Sequence, residues 1–68
     1  MVQLNSKKGF GVTYSTGRYE EYEALVCVVY AEGNDVFSLI WSDGDVQERD
    51  TECYWSIQSL DNGSIIEF

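Results

Sequence analysis

Four glycine-bearing breaks divide this chain into short apolar pieces: Ser15-Thr16-Gly17, Glu32-Gly33-Asn34, Ser42-Asp43-Gly44 and Asp61-Asn62-Gly63. Each supplies a residue that tolerates positive φ, and Asp-Gly and Asn-Gly are the strongest short-range hairpin signals. The pieces between them are rich in Val, Ile, Tyr, Phe and Trp, the residues that suit a pleated surface. Phe10, Val12 and Tyr14 alternate with Gly11 and Thr13, and Ala24 to Tyr30 is a nearly continuous apolar run of the kind a central strand carries. Val36 to Trp41 puts Phe37, Leu39 and Trp41 on one side of the pleat, and Ile65 to Phe68 reads as a closing strand. The segment Thr51 to Leu60 fits two templates: Cys53, Trp55 and Ile57 follow period two, whereas Cys53, Tyr54, Ile57 and Leu60 share a helical face. A strand ending in a short helical turn near residues 56–60 satisfies both. The expected fold is therefore all-β, with five short strands in a partly closed barrel, because closure removes edges that a small sheet protects poorly.

At 68 residues the chain is one domain, residues 1–68, since a core of this size cannot be divided and still offset the entropy lost on folding. A single apolar core of that size leaves roughly 3–5 kcal/mol of stability or less. Its hydrophobic content of 44% is enough to fold despite a net charge of −8. The charge is segregated: Lys7, Lys8 and Arg18 precede every acid, and the twelve acids that follow are offset by Arg49 alone. Such a field repels nucleic-acid phosphate and steers cationic partners inward. No apolar run approaches the roughly 20 residues needed to span a bilayer, and no secretory h-region is present, so a soluble intracellular protein, cytoplasmic or nuclear, is expected. In that setting Cys27 and Cys53 are expected to be reduced, and Asn62-Gly63-Ser64 to act as a turn rather than a glycosylation site.

Catalysis finds little to work with. Histidine is absent, which removes the commonest general base and metal ligand, and neither cysteine lies in a cluster of cations. Asp43, Asp45, Glu48, Asp50 and Glu52 offer hard oxygens, but an EF-hand loop starting at Asp43 would need glycine where Glu48 stands. Neither an enzyme nor a metal site nor a cofactor is expected.

The run from Thr13 to Asp50, with Tyr14 before its turn, Tyr22-Glu23-Ala24 opening a strand, the Glu32-Gly33-Asn34 turn and Trp41-Ser42-Asp43-Gly44, resembles the Tudor group of SH3-like barrels. The resemblance covers about residues 10–60, and Ser56 to Asp61 falls where that group has a short helical turn. It implies a reader of methylated lysine or arginine, with Tyr14, Tyr22 and Trp41 as walls of an aromatic cage that holds the cation by its π faces. A fourth aromatic is expected in the Asp-Gly turn, where this chain has Gly44.

The acids suggest a different use. Asp43, Asp45, Glu48, Asp50 and Glu52 line one arm of a hairpin, and Glu20, Glu21 and Glu23 form a second cluster. An acidic edge deters aggregation. It can also address a basic protein surface, imitating nucleic-acid phosphates in the groove of a nucleic-acid-binding protein. The leading expectation is a non-enzymatic binding protein of the kind a viral or accessory inhibitor represents, with these carboxylates steering. Tyr22, Trp41, Tyr54 or Trp55 would anchor the contact.

Overall fold

The computed structural model describes residues 1–68 as eight strands and a single 3-10 turn, without any α-helix. The strands are β1 (Val2–Asn5), β2 (Phe10–Tyr14), β3 (Tyr19–Tyr22), β4 (Leu25–Tyr30), β5 (Val36–Trp41), β6 (Val46–Asp50), β7 (Tyr54–Ser59) and β8 (Ile65–Glu67). They form two antiparallel four-stranded sheets, ordered β1-β4-β5-β6 and β3-β2-β7-β8. No helix is long and apolar enough to cross a membrane.

The all-β expectation holds, and its details are corrected. There are eight strands rather than five, and they make two sheets rather than a partly closed barrel. The additional strands are β1, β3 and β6, the last being the acidic arm of the hairpin. Tyr19–Tyr22 and Leu25–Tyr30 are separate strands because the chain leaves one sheet at Glu23-Ala24 and enters the other. The helical turn near 56–60 does not form. Ile57 pairs with Val12 on one side and Ile66 on the other, and it is fully buried. Two ladders of backbone hydrogen bonds and a buried side chain outweigh what one helical turn could offer. The 3-10 turn lies earlier, at Thr51–Cys53, where it joins β6 to β7.

Period-two alternation determines which side chains meet between the sheets. Phe10 and Val12 from β2, Ile57 from β7 and Ile66 from β8 face Leu25 and Val28 from β4 and Phe37 and Leu39 from β5. Phe37 stacks on Phe68 at 4.6 Å between ring centroids and meets Tyr54 edge-on at 5.1 Å. The two buried serines are satisfied locally. Ser6 Oγ donates to the Gly9 carbonyl at 2.6 Å, and Ser59 Oγ accepts the Asp61 N–H at 3.2 Å.

Candidate functional site

Two interruptions of the strand period shape a cavity at one end of the core. Between Leu25 and Cys27 the register of β4 against β5 shifts, so that Leu25 sits opposite Trp41 while Val28 still faces inward opposite Leu39. Between Thr13 and Tyr14 the register of β2 against β7 shifts likewise, pairing Tyr14 with Tyr54 and leaving Trp55 as the extra residue. A bulge of this kind re-aims side chains. Tyr54 turns inward against Tyr14, with ring centroids 5.1 Å apart, and Trp55 is left 56% exposed.

The result is a cavity of about 150 Å³ whose floor is Val12, Leu25, Leu39 and Ile57. Its walls are Tyr14, Tyr22, Trp41 and Tyr54, with Arg49 completing the lining. One edge strand of each sheet contributes: Tyr22 comes from β3 and Arg49 from β6. Tyr22 and Trp41 meet edge to face at 5.8 Å, an arrangement that aromatic quadrupoles favour.

The polar ends of the rings are tied down at both sides of the cavity. Tyr22 donates its hydroxyl proton to Glu20 Oε2 at 2.5 Å, so the 2.6 Å contact between the Tyr14 and Tyr22 oxygens is donated by Tyr14. The bond to Glu20, then that to Tyr14, push the Tyr22 phenol above its ordinary range. Arg18 lies 4.7 Å from the centre of the Tyr14 ring and 3.7 Å from Glu20 Oε1. Across the cavity, Gln47 Oε1 accepts both Arg49 Nη2 at 2.6 Å and Trp41 Nε1 at 3.2 Å. Burial raises the Tyr54 phenol, and the nearby Arg49 charge opposes that rise.

The three residues that the Tudor resemblance implies for a cage, Tyr14, Tyr22 and Trp41, thus border one cavity. Gly44 stays in its turn, and Tyr54 supplies a fourth ring from a different element. Sequence reasoning also passed over Arg49 and Gln47. Their positions two apart on a strand, facing inward opposite Phe37 and Leu39, are the signal that would have placed them.

The acids of the two clusters lie on β3 and β6 and in the connections beside them. Glu20 faces the cavity side of β3, Glu21 accepts the Tyr19 hydroxyl at 2.8 Å, and Glu23 is exposed in the connection to β4. Asp43 and Asp45 occupy the β5–β6 turn, where Asp43 Oδ1 accepts the Asp45 N–H at 2.9 Å. Glu48 and Asp50 pair with Ser38 and Val36, which places them on the outer face of β6, away from the cavity. Glu52 is exposed in the 3-10 turn. Among the twelve acids only Glu20 has a basic side chain within ion-pair distance. Both cysteines are free, Cys27 buried and Cys53 exposed. Known protein families, curated proteins and solved structures yield no match to this chain.

Proposed function

We propose that this chain is a non-enzymatic binding protein that docks on a positively charged segment of a partner protein, carboxylates steering the approach and the aromatic cavity seating one side chain. One observation carries the reading: a cavity walled by four rings opens beside β3 and β6, and unpaired acids lie on these edge strands and in the connections next to them. Unpaired exposed carboxylates cost little in water and attract cations over about a Debye length. Clustered aromatics supply the desolvated contact that holds a complex once formed. A protein built to grip nucleic-acid phosphate is the partner class that such a surface fits, and occluding its groove is the corresponding role.

The direct probe is a lysine- and arginine-rich peptide titrated into isotope-labelled protein and followed by NMR. Shifts at Tyr22, Trp41 and residues 43–52 are expected, with affinity falling at least roughly tenfold from low to high salt. Reversing Asp43, Asp45 and Glu48 to Lys abolishes binding on this reading. Salt-independent binding, or full affinity in the triple variant, overturns it.

A second reading is favoured by the rings themselves. Four aromatic walls with Glu20 beside them suit a methylated lysine or arginine, as the Tudor resemblance implies. This reader would lose its ligand on Tyr22→Ala or Trp41→Ala and be nearly indifferent to Asp43, Asp45 and Glu48.

A further inference from the structure

We propose that Arg49 determines what the aromatic cavity accepts: an uncharged apolar side chain in preference to an ammonium or methylated ammonium group. The inference rests on the reading of the cavity as a binding site and names the chemistry of its occupant. Four electron-rich faces alone would favour a cation. Here the lining already contains one. The Arg49 guanidinium is held from two directions, Nη1 donating to the Glu48 carbonyl at 2.9 Å and Nη2 to Gln47 Oε1 at 2.6 Å. Gln47 is itself fixed, because it accepts the Trp41 indole N–H and donates to Asp45 Oδ2 at 2.9 Å. The charge is therefore part of the wall.

The carboxylate that would complement an incoming cation is engaged elsewhere. Glu20 accepts the Tyr22 hydroxyl and faces Arg18. A second cation placed among the rings would meet like charge in a partly enclosed space, where repulsion is screened less than in bulk water. An apolar group meets no such repulsion and displaces water from a floor of Val12, Leu25, Leu39 and Ile57. On a basic partner segment, the lysines and arginines then belong outside with the acids, and an aliphatic neighbour enters.

A pair of probes equal in shape and different in charge tests this: choline, and the neutral isostere dimethylbutanol in which carbon replaces the quaternary nitrogen. Both are titrated into the wild-type protein, Arg49→Gln and Arg49→Lys, following the indole and tyrosine ring resonances of the cavity. Wild type is expected to bind dimethylbutanol at least as tightly as choline. Arg49→Gln shifts the affinity ratio roughly tenfold towards choline, and Arg49→Lys, which keeps the charge, keeps the wild-type order. Tighter choline binding by the wild type, or a ratio unmoved in Arg49→Gln, overturns the assignment while leaving the cavity a binding site. Silence of the ring resonances with both probes in all three proteins refutes the assignment and the cavity reading together.

Discussion

Gly9→Ala tests how the cavity is positioned, although Gly9 lines none of it. Gly9 precedes β2 with φ 99°, a conformation that costs a residue with a side chain about 1–3 kcal/mol. A β-carbon there would also overlap the Tyr22 carbonyl oxygen and lie 2.6 Å from the Glu23 Cα. Both are backbone atoms at the end of the strand that carries the Tyr22 ring, so relief requires β3 to move away from β2. A shift of Gly9 instead would strain the Ser6–Gly9 pair and the Leu60 N–H bond to the Gly9 carbonyl at 3.0 Å, each worth about 1 kcal/mol. Conformation and overlap together cost about 2–6 kcal/mol, comparable with the roughly 3–5 kcal/mol that a core of this size supplies at most. The variant should lose most of its stability.

Gly11→Ala is the matched control. A β-carbon at Gly11 would overlap the Tyr19 hydroxyl and lie 2.8 Å from its Cζ, a clash of similar depth. Here the obstacle is the far end of a side chain that is 51% exposed, and φ is not positive. Tyr19 can swing out, giving up its solvent-exposed bond to Glu21, and the gain from replacing a strand glycine offsets much of that loss. The net change should stay within about 1 kcal/mol. Urea unfolding followed by tryptophan fluorescence separates the two, since at about 1 kcal/mol/M the midpoint of Gly9→Ala falls by at least roughly 2 M and that of Gly11→Ala by less than about 1 M. Midpoints that agree within about 0.5 M would refute the claim that backbone contact, rather than overlap as such, fixes β3.

Tyr22→Phe removes the hydroxyl that joins Tyr14 to Glu20 and should cost about 1 kcal/mol by thermal or urea unfolding. Because the folded phenol of Tyr22 is raised, the stability it contributes is complete below about pH 10 and is lost as pH climbs through the folded value. Phenolate absorbance should therefore show a late alkaline phase that this variant lacks. Asp61 behaves with the opposite sign: the Lys7 N–H, at 2.8 Å, and then the Lys8 N–H hold its carboxyl below the ordinary range. Its contribution is present above about pH 4 and fades as pH falls through the depressed folded value, so the melting temperatures of wild type and Asp61→Asn should converge in acid. Burial raises the Cys27 thiol. A thiol-reactive dye should label exposed Cys53 at once and Cys27 only in denaturant, and a reducing agent should leave the melting temperature unchanged.

The parts of this fold that obey a period are the parts that the sequence makes legible. Phe10, Val12, Phe37, Leu39 and Ile57 alternate cleanly, and they occupy the core. Tyr14, Tyr22 and Trp41 sit at or beside strand ends, positions that the Tudor resemblance could propose, and they border one cavity. What escaped lies where the period breaks. Strict alternation through Thr51 to Leu60 selects Trp55 for the interior, and the bulge opposite Tyr14 installs Tyr54 instead. The helical template included Tyr54, but for a reason that the two ladders on β7 remove. Leu25 reaches the cavity floor through the second shift, in a run so uniformly apolar that alternation is invisible. Arg49 was concealed differently: counted as one charge among acids, it looked like surface, yet its register opposite Phe37 turns it inward while Glu48 and Asp50 turn out. A bulge adds a residue to one strand and opens the ladder locally, and natural strands accept that defect where it aims a side chain. Both register shifts help to build the same cavity, Leu25 in its floor and Tyr54 in its wall. Packing alone would be served as well by unbroken strands, so this convergence supports a role for the cavity that the apolar pattern by itself could not suggest.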